Sequence, residues 1–126
     1  IEITACDKRT ISSLKRMNFK VTCPLGGENP QYQVNYDDNK SPLTLYSKIY
    51  DDAPNPKSHF VAILTCDHAD QNCPIINGVE KRIYLPYEDP KGFDNTLDEA
   101  KKYDQSSNLI ARELKYLFSK NFVLHI

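Results

Sequence analysis

The longest uninterrupted apolar run in this chain is Phe60–Leu64, and it passes straight into a polar stretch, Cys66-Asp-His-Ala-Asp-Gln-Asn-Cys73-Pro74. A run so short cannot cross a membrane as a helix. With its β-branched members, Phe60–Thr65 reads as a central strand buried on both faces of a sheet. In open α/β sheets, ligands sit beyond the carboxyl ends of the strands. The two cysteines that follow this strand therefore stand where such folds do chemistry.

The remaining sequence bounds what surrounds that strand. A chain of 126 residues fits one domain, 1–126. A domain of that size buries about two thirds of its unfolded surface. Charged residues make up 26% and apolar residues 40%, which argues against disorder. The net charge of −1 supplies no basic field to hold nucleic acid or an anionic membrane. No basic segment followed by an apolar one opens the chain, so no signal peptide is read and a cytoplasmic location is expected. In that reducing compartment the four cysteines, Cys6, Cys23, Cys66 and Cys73, read as packing, metal-binding or redox-active thiols rather than structural disulfides.

Local signals place the other elements. Asp7 is a candidate N-cap for a helix over Lys8–Met17, with Ile11 and Leu14 at helical spacing. Phe19–Cys23 alternates as a half-buried strand, and Pro24-Leu-Gly26-Gly27 ends it. Gly26-Gly27 lacks a following Lys-Ser/Thr and is read as a turn, not a nucleotide loop. Strands over Gln31–Tyr36 and Leu43–Tyr50 flank the turn-rich Asp37–Pro42, predicting a β-hairpin over 31–50 whose tyrosines form a packed face. Arg82–Leu85 reads as a short final strand and Pro86–Asn95 as a loop. Thr96 and Glu99 are spaced as a capping box. They open a long helix with an apolar stripe of Tyr103, Ile110, Leu114, Leu117 and Phe118, ending near Lys120. The architecture expected is α/β, a mixed sheet with helices packed on it.

Two features carry chemistry. Cys66 and Cys73 are seven positions apart. In a helix that is a rise of roughly 10 Å. A disulfide needs Cα atoms about 4.4–6.8 Å apart. Joining them would require the segment to unwind, as a redox switch does. Asp, His and Asn make it a weak helix that unwinds readily. Two further readings stand beside this one: incidental buried thiols, and a metal set of Cys66, His68, Asp70 and Cys73. The second feature is Asp89-Pro90, with Glu88 beside it and Tyr87 and Phe93 close by. Aromatic company and a neighbouring acid raise a carboxyl pKa, which suits a general acid.

The stretch Ala62-Ile-Leu-Thr-Cys66 through Cys73-Pro74, followed by Tyr87-Glu-Asp89-Pro90, resembles the thioredoxin-coupled arsenate reductases. These share the fold of the low-molecular-weight protein tyrosine phosphatases. The resemblance covers roughly residues 60–120. More loosely, it takes in residues 1–22 through Ile3-Thr-Ala-Cys-Asp-Lys-Arg9. It implies that Cys66 attacks the catalytic cysteine once arsenate is reduced. Cys73 then completes a disulfide that a thioredoxin-like reductant opens, and Asp89 protonates the leaving oxygen. No cofactor or resident metal is implied.

The family's nucleophile sits in a Cys-x5-Arg phosphate loop that holds the oxyanion. Six residues after the four cysteines stand Ser12, Asn29, Asn72 and Val79, none of them Arg. By this resemblance the first strand, the loop, the first helix and most of the second strand lie upstream of Ile1. The chain is then the C-terminal part of a phosphatase or arsenate reductase, inactive alone, with the hairpin as an insertion and the family's aromatic-glycine run replaced by Leu85-Pro86-Tyr87. A truncated sheet would expose apolar faces, so a dimer or a retained N-terminal fragment is expected. The alternative is a non-catalytic form of the fold that binds a partner or an oxyanion.

Overall fold

The computed structural model describes residues 4–65 and 75–120. They form an α/β structure with one short and one long α-helix, one antiparallel sheet and one parallel strand pair. The chain divides into two compact units, Ile1–Ile49 and Tyr50–Ile126.

In the first unit, α1 spans Lys8–Arg16. Asp7 caps it as the sequence predicts, accepting the Arg9 N–H at 2.8 Å. Asn18 takes a left-handed φ of 68° at the other end. There the Phe19 N–H reaches the Leu14 carbonyl at 3.1 Å, a Schellman closure. The helix buries Ile11 and Ser13. Strands β1 (Lys20–Thr22), β2 (Tyr32–Asn35) and β3 (Leu43–Leu45) follow in an antiparallel sheet of order β1-β2-β3. Val34, buried at its centre, pairs with Val21 on one side and Leu43 on the other. The predicted hairpin is β2–β3, with Asp37 organising its turn by accepting the Asn39 N–H at 2.9 Å. β3 is shorter than expected because beyond it Ser47 is engaged by side chains instead of a ladder. Asn29 donates to the Ser47 carbonyl at 2.8 Å and accepts its N–H at 3.2 Å. The Ser47 hydroxyl accepts the Thr4 N–H at 3.1 Å.

In the second unit, residues 50–58 are a loop. The Lys57 ammonium closes it by donating to the carbonyls of Asp51 and Asp52 at 2.6 and 3.0 Å. Strands β4 (Phe60–Leu64) and β5 (Val79–Tyr84) pair in parallel. Phe60 faces Val79, but Val61 faces Lys81, so the register slips by one residue at Glu80. The Glu80 carboxylate there accepts from, or pairs with, His59 Nδ1 at 2.8 Å. A 3-10 turn, Pro90–Phe93, precedes α2, Glu99–Ser119.

Three expectations need correction. β4 is not buried on both faces: Leu64 is buried, whereas Ile63 is 37% exposed. Burial on both faces needs a layer against each, and among the described residues β4 has β5 as its sole strand partner. The last strand begins at Val79, ahead of Arg82. The capping box is displaced. α2 starts at Glu99, and its carboxylate accepts the N–H of Asn95 at 2.6 Å, one residue before Thr96. Asn95 adopts a left-handed φ of 63°. Thr96 instead donates its hydroxyl to the Phe93 carbonyl at 2.7 Å. Tyr103 of the expected stripe is buried, while Phe118 is 68% exposed.

Gly78, at the entry to β5, has φ +80°, and a Cβ there would run into the Lys57 carbonyl. The left-handed conformation alone costs a non-glycine residue about 1–3 kcal/mol. Gly78→Ala is therefore expected to destabilise the protein by more than about 2 kcal/mol in urea unfolding. Gly92→Ala, with open space around it, should stay within about 0.5 kcal/mol.

Candidate functional site

Because β4 and β5 are parallel, their carboxyl ends share one edge. The ladder continues past both strands: the Leu85 N–H donates to the Leu64 carbonyl at 2.9 Å, and the Tyr87 N–H to that of Thr65 at 3.0 Å. Thr65 is the last described residue before Cys66. The backbone thus lays the start of the acidic loop against the point where β4 hands over to the cysteine segment. Cys66 and Cys73 themselves, with His68 and Asp70, lie outside the described residues.

Asp89 follows two residues after Tyr87 and caps the 3-10 turn. Its Oδ1 accepts the Lys91 N–H at 2.9 Å, and Pro90 occupies the first position of the turn. The turn and α2 enclose a cavity of about 180 Å³. Tyr87, Glu88, Asp89, Pro90 and Phe93 line it from the loop, and Lys102, Gln105, Ser106 and Leu109 from the helix. Asp89 thus shares the wall of one cavity with Glu88, Tyr87 and Phe93. The Lys102 ammonium lies 4.6 Å from the centroid of the Phe93 ring, a cation–π contact. Asp94 accepts the hydroxyl of the buried Tyr103 at 2.8 Å.

Tyr87 donates its hydroxyl to Glu113 Oε2 at 2.7 Å. Burial pushes the Tyr87 phenol up to about 12, helped by this hydrogen bond and by the negative charge of Glu113. Neither Glu113 nor Lys102 was singled out by sequence reasoning. The stripe they share, Lys102, Ser106, Leu109 and Glu113, follows helical spacing, but its polar members give no hydrophobic signal.

Chemically, the site offers a solvent-facing carboxyl group on a braced turn, beside an aromatic-walled cavity. The other cysteines contribute nothing to it. Cys6 is half-buried, and burial pushes its thiol up; Cys23 is exposed, which does not fit a packing role for it. Tyr36 of the hairpin is also exposed rather than packed. Gly26 and Gly27 hold positive φ values, as a turn requires. Among the described residues no group of three or more His, Cys, Asp or Glu could hold a metal ion, and no helix is long and apolar enough to cross a membrane. Comparison with protein-family models, with curated proteins and with solved structures gives no match.

A phenol raised from 10 to about 12 in the folded state favours the neutral form there. Its stabilising contribution is complete below the unfolded pKa of 10 and is lost as pH rises toward 12. Stability measured by denaturant unfolding should therefore fall between pH 10 and 12 more steeply in the wild type than in Tyr87→Phe.

Proposed function

We propose that this chain carries the acid and redox segments of an enzyme resembling the thioredoxin-coupled arsenate reductases and low-molecular-weight tyrosine phosphatases, acting on arsenate or a phosphate monoester. The observation that carries the reading is the extended parallel ladder. Through the Tyr87–Thr65 bond it sets the Asp89 loop alongside the exit of β4 into Cys66. A shared carboxyl edge is where parallel α/β sheets hold ligands.

In this reading a cysteine from a Cys-x5-Arg loop elsewhere in the complete protein supplies the nucleophile. With a phosphate ester, its thiolate attacks phosphorus. The P–O bond to the leaving group breaks, and Asp89 delivers a proton to the departing oxygen. Water then hydrolyses the thiophosphate and releases phosphate. With arsenate, the same thiolate displaces water, protonated by Asp89. The Cys66 thiolate next attacks the arsenic-bearing sulfur, and arsenic leaves as arsenite with the electron pair. Cys73 attacks Cys66, freeing the nucleophile and leaving a Cys66–Cys73 disulfide. A thioredoxin-like dithiol reduces that disulfide.

The test is activity of the full-length gene product toward aryl phosphates and toward arsenate with thioredoxin. Asp89→Asn is expected to lower kcat by about 10²–10⁴-fold, the usual contribution of a general acid. If neither activity is present, a binding role replaces the enzyme reading. Cys73→Ser is expected to abolish thioredoxin-dependent turnover while sparing ester hydrolysis; equal arsenate turnover in this variant would remove the redox role.

A further inference from the structure

We propose that Glu113 is a positioning residue that, through Tyr87, sets where the Asp89 carboxyl group stands in the cavity. The inference rests on the reading of Asp89 as an acid and names the group that places it.

The ties on the loop fall into two classes. Some are local and move with it: Asp89 to the Lys91 N–H, and Thr96 to the Phe93 carbonyl. These shape the turn but do not place it. Tyr87 is held differently, at both ends. Its N–H is fixed to Thr65 at the end of β4, and its hydroxyl to Glu113 on α2, a partner 26 residues away. One residue thereby spans from the sheet edge, through its backbone, to the helix, through its side chain. Asp89 is two residues along the chain from this strut.

Glu113 lies on the stripe that continues from the cavity wall. Lys102, Ser106 and Leu109 line the cavity, and Glu113 follows Leu109 at the next i+4 step. The bond is short and part-buried, with a carboxylate acceptor. Charge-assisted hydrogen bonds of this kind are about twice as strong as neutral ones. At the far end of the loop, Asp94 is tied to Tyr103. The segment from Tyr87 to Asp94 is thus pinned to α2 at two points, and Asp89 lies between them.

The experiment uses the full-length protein with phenyl phosphate, a poor leaving group, and p-nitrophenyl phosphate, a good one. A displaced acid harms the first selectively, because nitrophenolate departs with little protonation. Tyr87→Phe and Glu113→Ala are expected to lower kcat on phenyl phosphate at least about tenfold more than on the nitrophenyl ester; a misplacement of about 1 Å costs on the order of 10²-fold. Glu113→Gln, which keeps an acceptor oxygen, should recover most of the loss. Adding Tyr87→Phe to Asp89→Asn should cause little further loss. Where arsenate alone is turned over, the same ranking is expected in kcat with KM unchanged. Equal slowing on both esters, or kcat unchanged in Tyr87→Phe and Glu113→Ala, overturns the tether. A wild-type protein inactive on both esters and on arsenate overturns the acid reading, and this inference with it.

Discussion

Two backbone hydrogen bonds organise the second unit of this molecule, Leu85 to Leu64 and Tyr87 to Thr65. They are made after both strands have formally ended. A parallel pair normally lets its chains diverge at the carboxyl edge, where connections leave for the next element. Here the ladder is prolonged, and the first residues of the loop inherit the precision of the sheet. The turn at Asp89, the cavity beside it and the strut from Tyr87 to Glu113 all depend on that continuation. Groups that act on a bound molecule work best when carried by rigid elements. A loop stitched to a strand end approaches that condition.

The first unit solves a different problem with similar means. Its strands are short, and among its described residues the buried apolar ones are few: Ile11 and Val34. Side-chain amides and hydroxyls take over where the ladder stops. Asn29 offers Ser47 both a donor and an acceptor, as a neighbouring strand would, and the Ser47 hydroxyl binds the backbone at Thr4. Pairing the part-buried backbone groups of Ser47 this way avoids part of the cost of about 1–3 kcal/mol that a fully buried group left unpaired incurs.

What was legible in the sequence was mostly local. Asp7 as N-cap, the Asp37 turn, the hairpin and the end of the long helix near Lys120 all depend on residues a few positions apart. The capping box read at Thr96 and Glu99 does not form: Glu99 accepts the N–H of Asn95, which has a left-handed φ, and the Thr96 hydroxyl turns to the Phe93 carbonyl. Burial of β4 was misread because an apolar run reports what a strand can bury, not what covers it. The Tyr87–Glu113 bond joins residues far apart in the chain, and no periodicity announces it. Asp89 was found from its neighbours in sequence, and the cavity brings those same neighbours together.

The register slip between β4 and β5 has a consequence of its own. Before it, Phe60 stands opposite Val79; after it, Ile63 stands opposite Ile83 and Leu64 opposite Tyr84. If the pairing ran on in the register of Phe60 and Val79, Ile63 would face Arg82, and every later side chain of β5 would be turned to the other face. Glu80, the residue let out of the pairing, is engaged with His59. The slip therefore acts as a phase correction between two fixed points. At one end Gly78 is wedged against Lys57; at the other Tyr87 is bonded to Thr65. A chain without Glu80 would pair straight through, Lys81 following Val79 opposite Phe60 and Val61, and both anchors would stay in step.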